Sequence, residues 1–198
     1  PTSDITTLEE LKNVEIAVSN ATIIEYLTDR LLENQGFKPE EIRKIEVKKM
    51  PIRMQMLLSG SVQAATLPEP LASIAAGKGA RILITDGSST ESLSQTVIVF
   101  RSEVLTERKA EIARFFKAYG RSVEAINNDP EKYRSLFVEK GRIPPFLAEK
   151  YTIPTYPDPA PFPRSLYDPV IDWLTSENLI DYVSYDSMVA PHFMADLN

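Results

Sequence analysis

Leu57-Leu58-Ser59-Gly60-Ser61-Val62-Gln63-Ala64-Ala65-Thr66-Leu67-Pro68-Glu69-Pro70-Leu71-Ala72-Ser73-Ile74-Ala75-Ala76-Gly77-Lys78-Gly79-Ala80-Arg81-Ile82-Leu83-Ile84-Thr85-Asp86 decides the reading of this chain. Gly60 stops a helix, Val62 to Thr66 reads as a short buried strand, and Pro70 to Ala76 reads as the next helix. Gly77-Lys78-Gly79 is the exit of that helix, and Arg81 to Thr85 reads as another strand. Between strand and helix lies Leu67-Pro68-Glu69-Pro70, a loop whose two prolines fix the backbone around one carboxylate.

The same alternation extends upstream. Asp4 or Thr6 can cap a short helix through Leu11, and Val14 to Val18 alternates as a strand that opens the domain. Ser19-Asn20 stops it, and Ile24, Leu27, Leu31 and Leu32 form the stripe of a helix packed on a sheet, which Gly36 ends. Ile45-Glu46-Val47 gives a second strand, and Pro51 begins a helix that turns Met54, Leu57 and Leu58 inward. Strands that alternate with helices in this way predict an α/β fold, a mostly parallel sheet with helices on both faces.

Downstream the pattern changes. Thr96 to Phe100 is strongly β-branched and predicts a strand. Thr106 to Asn127 predicts a long helix with Ile112, Phe115, Phe116, Tyr119, Val123 and Ile126 on one stripe. Asp129-Pro130 starts a helix that contains Tyr133, Leu136 and Phe137, and a last helix from about Ser165 to Glu177 turns Leu166, Val170, Trp173 and Leu174 inward. Seven of the fifteen prolines fall between Ile143 and Pro163, which predicts an extended loop or linker. We therefore read residues 1–95 as one complete α/β unit and residues 96–198 as a helix-rich remainder with one strand.

Composition narrows the function classes. The 198 residues carry a formal charge of -6, which opposes nonspecific attraction to nucleic acid or an anionic membrane. Lys44, Lys48 and Lys49 read as a solvated basic face. With no Cys, disulfides, thiolate metal sites and Cys nucleophiles are excluded. No nucleophile elbow, Walker loop or dinucleotide Gly motif is present. His192 is the single His and has no partner spacing for a metal. No cofactor is expected. Pro1 in place of an initiator Met reads as a chain from which a leading segment was removed.

Candidate binding residues lie where strands give way to helices. Ser19, Asn20, Ala21 and Thr22 follow a strand and open a helix, where backbone N–H groups and hydroxyls either cap the helix or hold a ligand. Leu67, Pro68 and Glu69 form the second candidate; Glu69 either complements the following helix or accepts hydrogen bonds from an amine, amidine or ring N–H. Met50 ends the second strand at the same edge. Tyr151, Tyr156 and Phe162 could stack on a flat ligand or pin their loop; we single out Tyr156.

Five segments resemble one family in consistent order over about residues 4 to 193. Ile5 to Val18 looks like its "sLkdLkGkkvav" element, with Asn13 at the usual Gly. Ser59 to Ala65 resembles "sGkvDAa", with Gln63 where Asp is common. Thr96 to Arg101 looks like a strand that crosses between lobes, Phe115 to Ile126 resembles the "Flkay.kAve.in" helix, and Val170 to Leu174 the late "vv.Wl" helix. These motifs resemble the type II extracytoplasmic solute-binding proteins of ABC transporters, in the sulfonate, taurine, nitrate and thiamine-precursor branch (NMT1/THI5-like). The resemblance implies a periplasmic-binding-protein-like type II fold that lacks here the N-terminal part of its first lobe. It implies that residues 1–95 are a complete α/β ligand-binding lobe, and residues 96–198 a crossing strand and the helix-rich part of another, incomplete lobe. It implies capture of a small organic solute, such as a sulfonate, a pyrimidine or another heteroaromatic, outside the cytoplasm, and delivery to an ABC permease. It also implies exposed apolar surface at Phe115, Phe116 and Trp173, and self-association through the incomplete lobe. An enzyme of the same fold, similar to those of menaquinone or thiamine pathways, and a regulator's ligand-sensing effector domain are the alternatives. No enzymatic activity is expected of the binder.

Overall fold

Ile16 and Val18 point to one side of strand β1 (Glu15–Val18) and Ala17 to the other, and all three are buried. A strand covered on both faces is the mark of a parallel sheet within an α/β layer structure. The computed structural model describes residues 3–88, 93–94 and 96–190. Its residues cluster into two units, Pro1–Gln95 with Ile143–Tyr151, and Thr96–Arg142 with Thr152–Asn198.

In the first unit, a 3-10 turn (Glu9–Leu11) precedes β1. Its start differs from the helix expected from Asp4 or Thr6, because the Glu10 carboxylate accepts from the Thr6 and Thr7 amides at 2.6 and 2.9 Å and holds that segment as a cap. These amide donors lower the Glu10 pKa. Helix α1 (Ile23–Glu33), strand β2 (Arg43–Glu46), helix α2 (Met50–Ser59), strand β3 (Ala64–Ala65) and helix α3 (Leu71–Gly77) follow. The strands are parallel in the order β2-β1-β3, with Glu15 opposite Arg43 and Ile16 opposite Ala64. Leu11, Ile16, Val18, Ile24, Leu32, Phe37 and Ile42 form the core, with Ile5, Leu8, Ala64 and Leu83 against it. Each such side chain taken from water contributes on the order of 1.5–3 kcal/mol.

The positions that need a left-handed backbone are informative. Gly60 closes α2 at φ 77°, as its expected role requires. Asn13, which stands where the resemblance puts Gly, has φ 62°, and Asn is among the side chains that tolerate this conformation.

Four expectations for this unit change. Val62 to Thr66 contributes only Ala64 and Ala65 to the ladder, and Arg81 to Thr85 forms no strand. Leu83 packs on the core, and the Arg81 guanidinium donates to the Ile5 carbonyl at 2.9 Å, so this segment is held by side-chain contacts rather than by a ladder. Lys44 is not a solvated residue, since its ammonium lies 2.9 Å from Glu25 and 2.8 Å from Asp29; Lys48 and Lys49 are exposed. On α2 the buried residue is Arg53, whereas Met54, Leu57 and Leu58 are half-buried.

The second unit contains helices α4 (Ser102–Glu107), α5 (Lys109–Asn128) and α6 (Arg134–Gly141), the last preceded by a 3-10 turn at Pro130–Tyr133. Helix α7 (Pro145–Ala148) belongs to the first unit, where Phe146 covers Gly77 so closely that a β-carbon there would lie 2.6 Å from its ring. Helices α8 (Arg164–Ser176) and α9 (Tyr185–Met188) complete the second unit. The long helix expected from Thr106 is broken at Arg108, whose φ of -126° and ψ of 37° are not helical. Thr96 to Phe100 is not a strand. Its β-branched side chains favour extended backbone, but a strand is defined by a paired neighbour, and Val99 is 81% exposed. On α8 Trp173 is buried, as the inward stripe expects and against the exposure that the resemblance implies; Tyr167 and Ile171 are buried with it, whereas Leu166, Val170 and Leu174 are half-buried, and Phe115 stays exposed and Phe116 half-buried. Phe100, Phe115 and Phe116 meet edge to face.

Candidate functional site

Because β1, β2 and β3 run parallel, their carboxyl ends share one edge of the sheet, where ligands of open α/β folds sit. The ladder continues one residue past two strands: the Val47 amide donates to Val18 O at 2.8 Å, and the Thr66 amide to Ala17 O at 3.1 Å. Ser19 to Thr22, Met50 and Leu67 to Glu69 follow these three strands. The fold thus brings eight of the nine singled-out residues to one edge of the first unit.

The turn after β1 is held from within. Thr22 caps α1 in extended conformation, its oxygen accepting from the Ile24 amide at 3.2 Å while its hydroxyl donates to Ser19 O at 2.7 Å. Ala21 has φ 55°, and its amide donates to Glu25 Oε2 at 2.7 Å. The other Glu25 oxygen meets Lys44. Burial opposes the Lys44 charge, but the hydrogen bonds and charges of Asp29 and Glu25 prevail and raise its pKa. Asn20 is exposed.

Arg53 lies beneath the edge with 0% exposure. Its Nε and Nη2 donate to Val47 O at 3.1 and 2.8 Å, its Nη1 to Thr66 O at 2.8 Å, and its Nη2 also to Ser19 Oγ. One planar guanidinium thus joins the residues that follow β1, β2 and β3, a span that suits its fixed fork of donors. Burial lowers its pKa, and the acceptors are a hydroxyl and two carbonyls rather than a carboxylate. Ser19 itself is buried and donates to Lys48 O at 3.3 Å. Sequence reasoning missed Arg53. The available signal was a cation on the inward stripe of α2, four residues before Leu57, which must find acceptors if the stripe is buried.

On the far side of the edge, Thr66 Oγ1 and Thr28 Oγ1 lie 2.7 Å apart. Leu67 and Pro68 are half-buried. Glu69 is exposed, and its Oε1 accepts from the Ser73 hydroxyl at 3.0 Å; the Glu69–Pro70 peptide is cis. Met50, the first residue of α2, is 41% exposed.

Tyr156 belongs to the second unit. Its main chain pairs with the Asn127 amide side chain through bonds of 2.7 and 2.9 Å, and its ring stacks on Phe137. Burial, followed by the neighbouring Tyr119, raises its pKa. Phe162 packs edge to face on Tyr167 in the same unit, whereas Tyr151 lies in the first. His192 lies outside the described residues. Among the described residues no His, Asp and Glu group is gathered for a metal ion, and no helix is long and apolar enough to cross a membrane.

The parallel sheet, with helices alternating along the chain and loops at its carboxyl edge, defines an α/β protein, and the solved structures it resembles give it the periplasmic-binding-protein type II fold. The family model described as NMT1/THI5 like matches residues 1–133, and the chain belongs to that family. No curated protein matches it by sequence. Similar solved structures include the ligand-binding component of an ABC-type import system from Staphylococcus aureus with zinc bound, at 18% identity and TM-score 0.80 over 98% of this chain and 68% of that one. The periplasmic aliphatic sulphonate binding protein SsuA from Escherichia coli follows at 16% identity and TM-score 0.74, over 95% of this chain and 66% of that one. The alkanesulfonate-binding protein SsuA from Xanthomonas axonopodis pv. citri, bound to MOPS, has 17% identity and TM-score 0.70, over 90% of this chain and 63% of that one. At these identities the likeness is one of fold. The chain spans 63% to 68% of the length of these three structures.

Proposed function

We propose that the carboxyl edge of the β2-β1-β3 sheet is one wall of a solute site. The protein would capture a small organic molecule outside the cytoplasm and deliver it to an ABC permease, without transforming it. The observation that carries this reading is the convergence of Ser19 to Thr22, Met50 and Leu67 to Glu69 on one sheet edge, in a chain whose family and fold are those of such binders.

The chemistry of the edge favours a solute that brings N–H donors. The hydroxyl protons of Ser19 and Thr22 are both turned onto main-chain carbonyls, and the Ala21 amide is taken by Glu25. Glu69 meets solvent as an acceptor. An amine, amidine or ring N–H suits such a wall better than a bare anion.

Isothermal titration with 4-aminopyrimidine and with methanesulfonate tests the reading. Tighter binding of the aminopyrimidine is expected, with Glu69→Gln weakening it about tenfold, the equivalent of 1.4 kcal/mol, at unchanged melting temperature. Preference for methanesulfonate would overturn the N–H assignment. If neither binds, solute capture by this chain falls, and a converted product detected by mass spectrometry would favour an enzyme.

A further inference from the structure

We propose that Arg53 is the positioning residue of this edge, a role that rests on reading the edge as the solute wall. Its guanidinium does two things at once. By holding Val47 O and Thr66 O it ties together the first residues past β2 and β3, and so fixes the spacing between the turn that leads to Met50 and the loop that carries Glu69. By donating to Ser19 Oγ, whose own proton goes to Lys48 O, it sets that hydroxyl as an acceptor toward anything that reaches the edge. A hydroxyl has one donor and two acceptor lone pairs. With the proton and one lone pair committed, Ser19 can offer a solute only the other lone pair. Arg53 therefore acts on recognition through Ser19 and through the loop spacing, without itself reaching solvent.

Two features separate this role from that of a general core residue. The bonds fall only on Ser19, Val47 and Thr66, the first residues past the three strands, and on nothing within β1, β2 or β3. Val47 and Thr66 also carry amides whose protons bond to β1 carbonyls, so the residues that Arg53 clamps contain their own reporters. Lysine in its place presents one compact ammonium, which cannot span three acceptors in a plane.

The test is residue-resolved amide hydrogen exchange on the whole chain, in wild type, Arg53→Lys and Arg53→Met. The expected result for Arg53→Lys is that the Val47 and Thr66 amides exchange about tenfold faster or more, while Ile16, Val18 and Leu32 keep their protection, since local opening is measured independently of global unfolding. Equal acceleration at all five amides would make Arg53 an ordinary stabiliser of the fold and overturn the proposal, as would no change. Should Arg53→Met fail to fold, Arg53→Lys alone decides. Where wild type binds 4-aminopyrimidine, Arg53→Lys is expected to weaken it about tenfold without a matching fall in melting temperature; unchanged affinity would overturn the recognition role. If wild type binds no probe, the solute reading fails, and the recognition role of Arg53 with it; the exchange data still decide whether it clamps the edge.

Discussion

Lys44 on β2 and Asp29 on α1 meet with the ammonium 2.8 Å from both carboxylate oxygens, and Glu25 completes the group at 2.9 Å. The ion group joins strand to helix and, through Glu25, holds the Ala21 amide of the candidate edge. Because Asp29 is buried, removal of its cation leaves it without full compensation. Lys44→Met is expected to cost about 1.5–3 kcal/mol in urea unfolding, the range for hydrogen bonds to charged groups. The pH dependence has a definite sign. The folded-state pKa of Lys44 is raised above 10.5, so its contribution is fully present below that value and is lost as pH rises through the folded pKa. Melting temperature against pH should therefore fall more steeply above 10.5 in wild type than in Lys44→Met. Parallel curves would remove the linkage.

Thr22 stands at the other end of the same turn. Its side chain receives the Ile24 amide and returns its proton to Ser19 O. Thr22→Ala should lower stability by about 1 kcal/mol, the usual loss for an N-cap, whereas Thr22→Ser should retain most of it. Equal urea midpoints for Thr22→Ala and wild type would show that the cap contributes nothing.

Ala21 and Asn13 form a natural comparison, since both have positive φ, 55° and 62°. An alanine in the left-handed region costs about 1–2 kcal/mol, and glycine relieves this but gains freedom in the unfolded chain worth about 0.4–1 kcal/mol. Ala21→Gly should thus raise stability by about 0.5–1 kcal/mol. Asn13→Gly should be near neutral, because Asn already suits the conformation. A lower melting temperature for Ala21→Gly would contradict the strain argument.

Much of the first unit was legible because its signals are local. Hydrophobic period, N-caps and the Gly60 stop mark β1, α1 and α2 without reference to distant residues. The edge was legible for the same reason: strand ends followed by Ser19, Met50 and Leu67 need only the order of elements. What escaped depends on partners far along the chain. Arg53 has no visible role until the carbonyls of Val47 and Thr66 are placed around it, and Lys44 reads as a solvated charge until Glu25 and Asp29 of α1 face it. The segment from Thr96 to Phe100 failed in the opposite direction. Its composition is right for a strand, but pairing is a property of a neighbour and not of the segment itself.

The packing of Phe146 over Gly77 has a consequence for biosynthesis. The nine residues or so that finish the first unit leave the ribosome only after the whole of α4, α5 and α6, so the nascent chain must keep α3 waiting, uncovered, while the intervening helices are made. Domains tend to fold in the order in which they emerge, and here that order is interrupted: the first unit is completed only after α4, α5 and α6 of the second have been made.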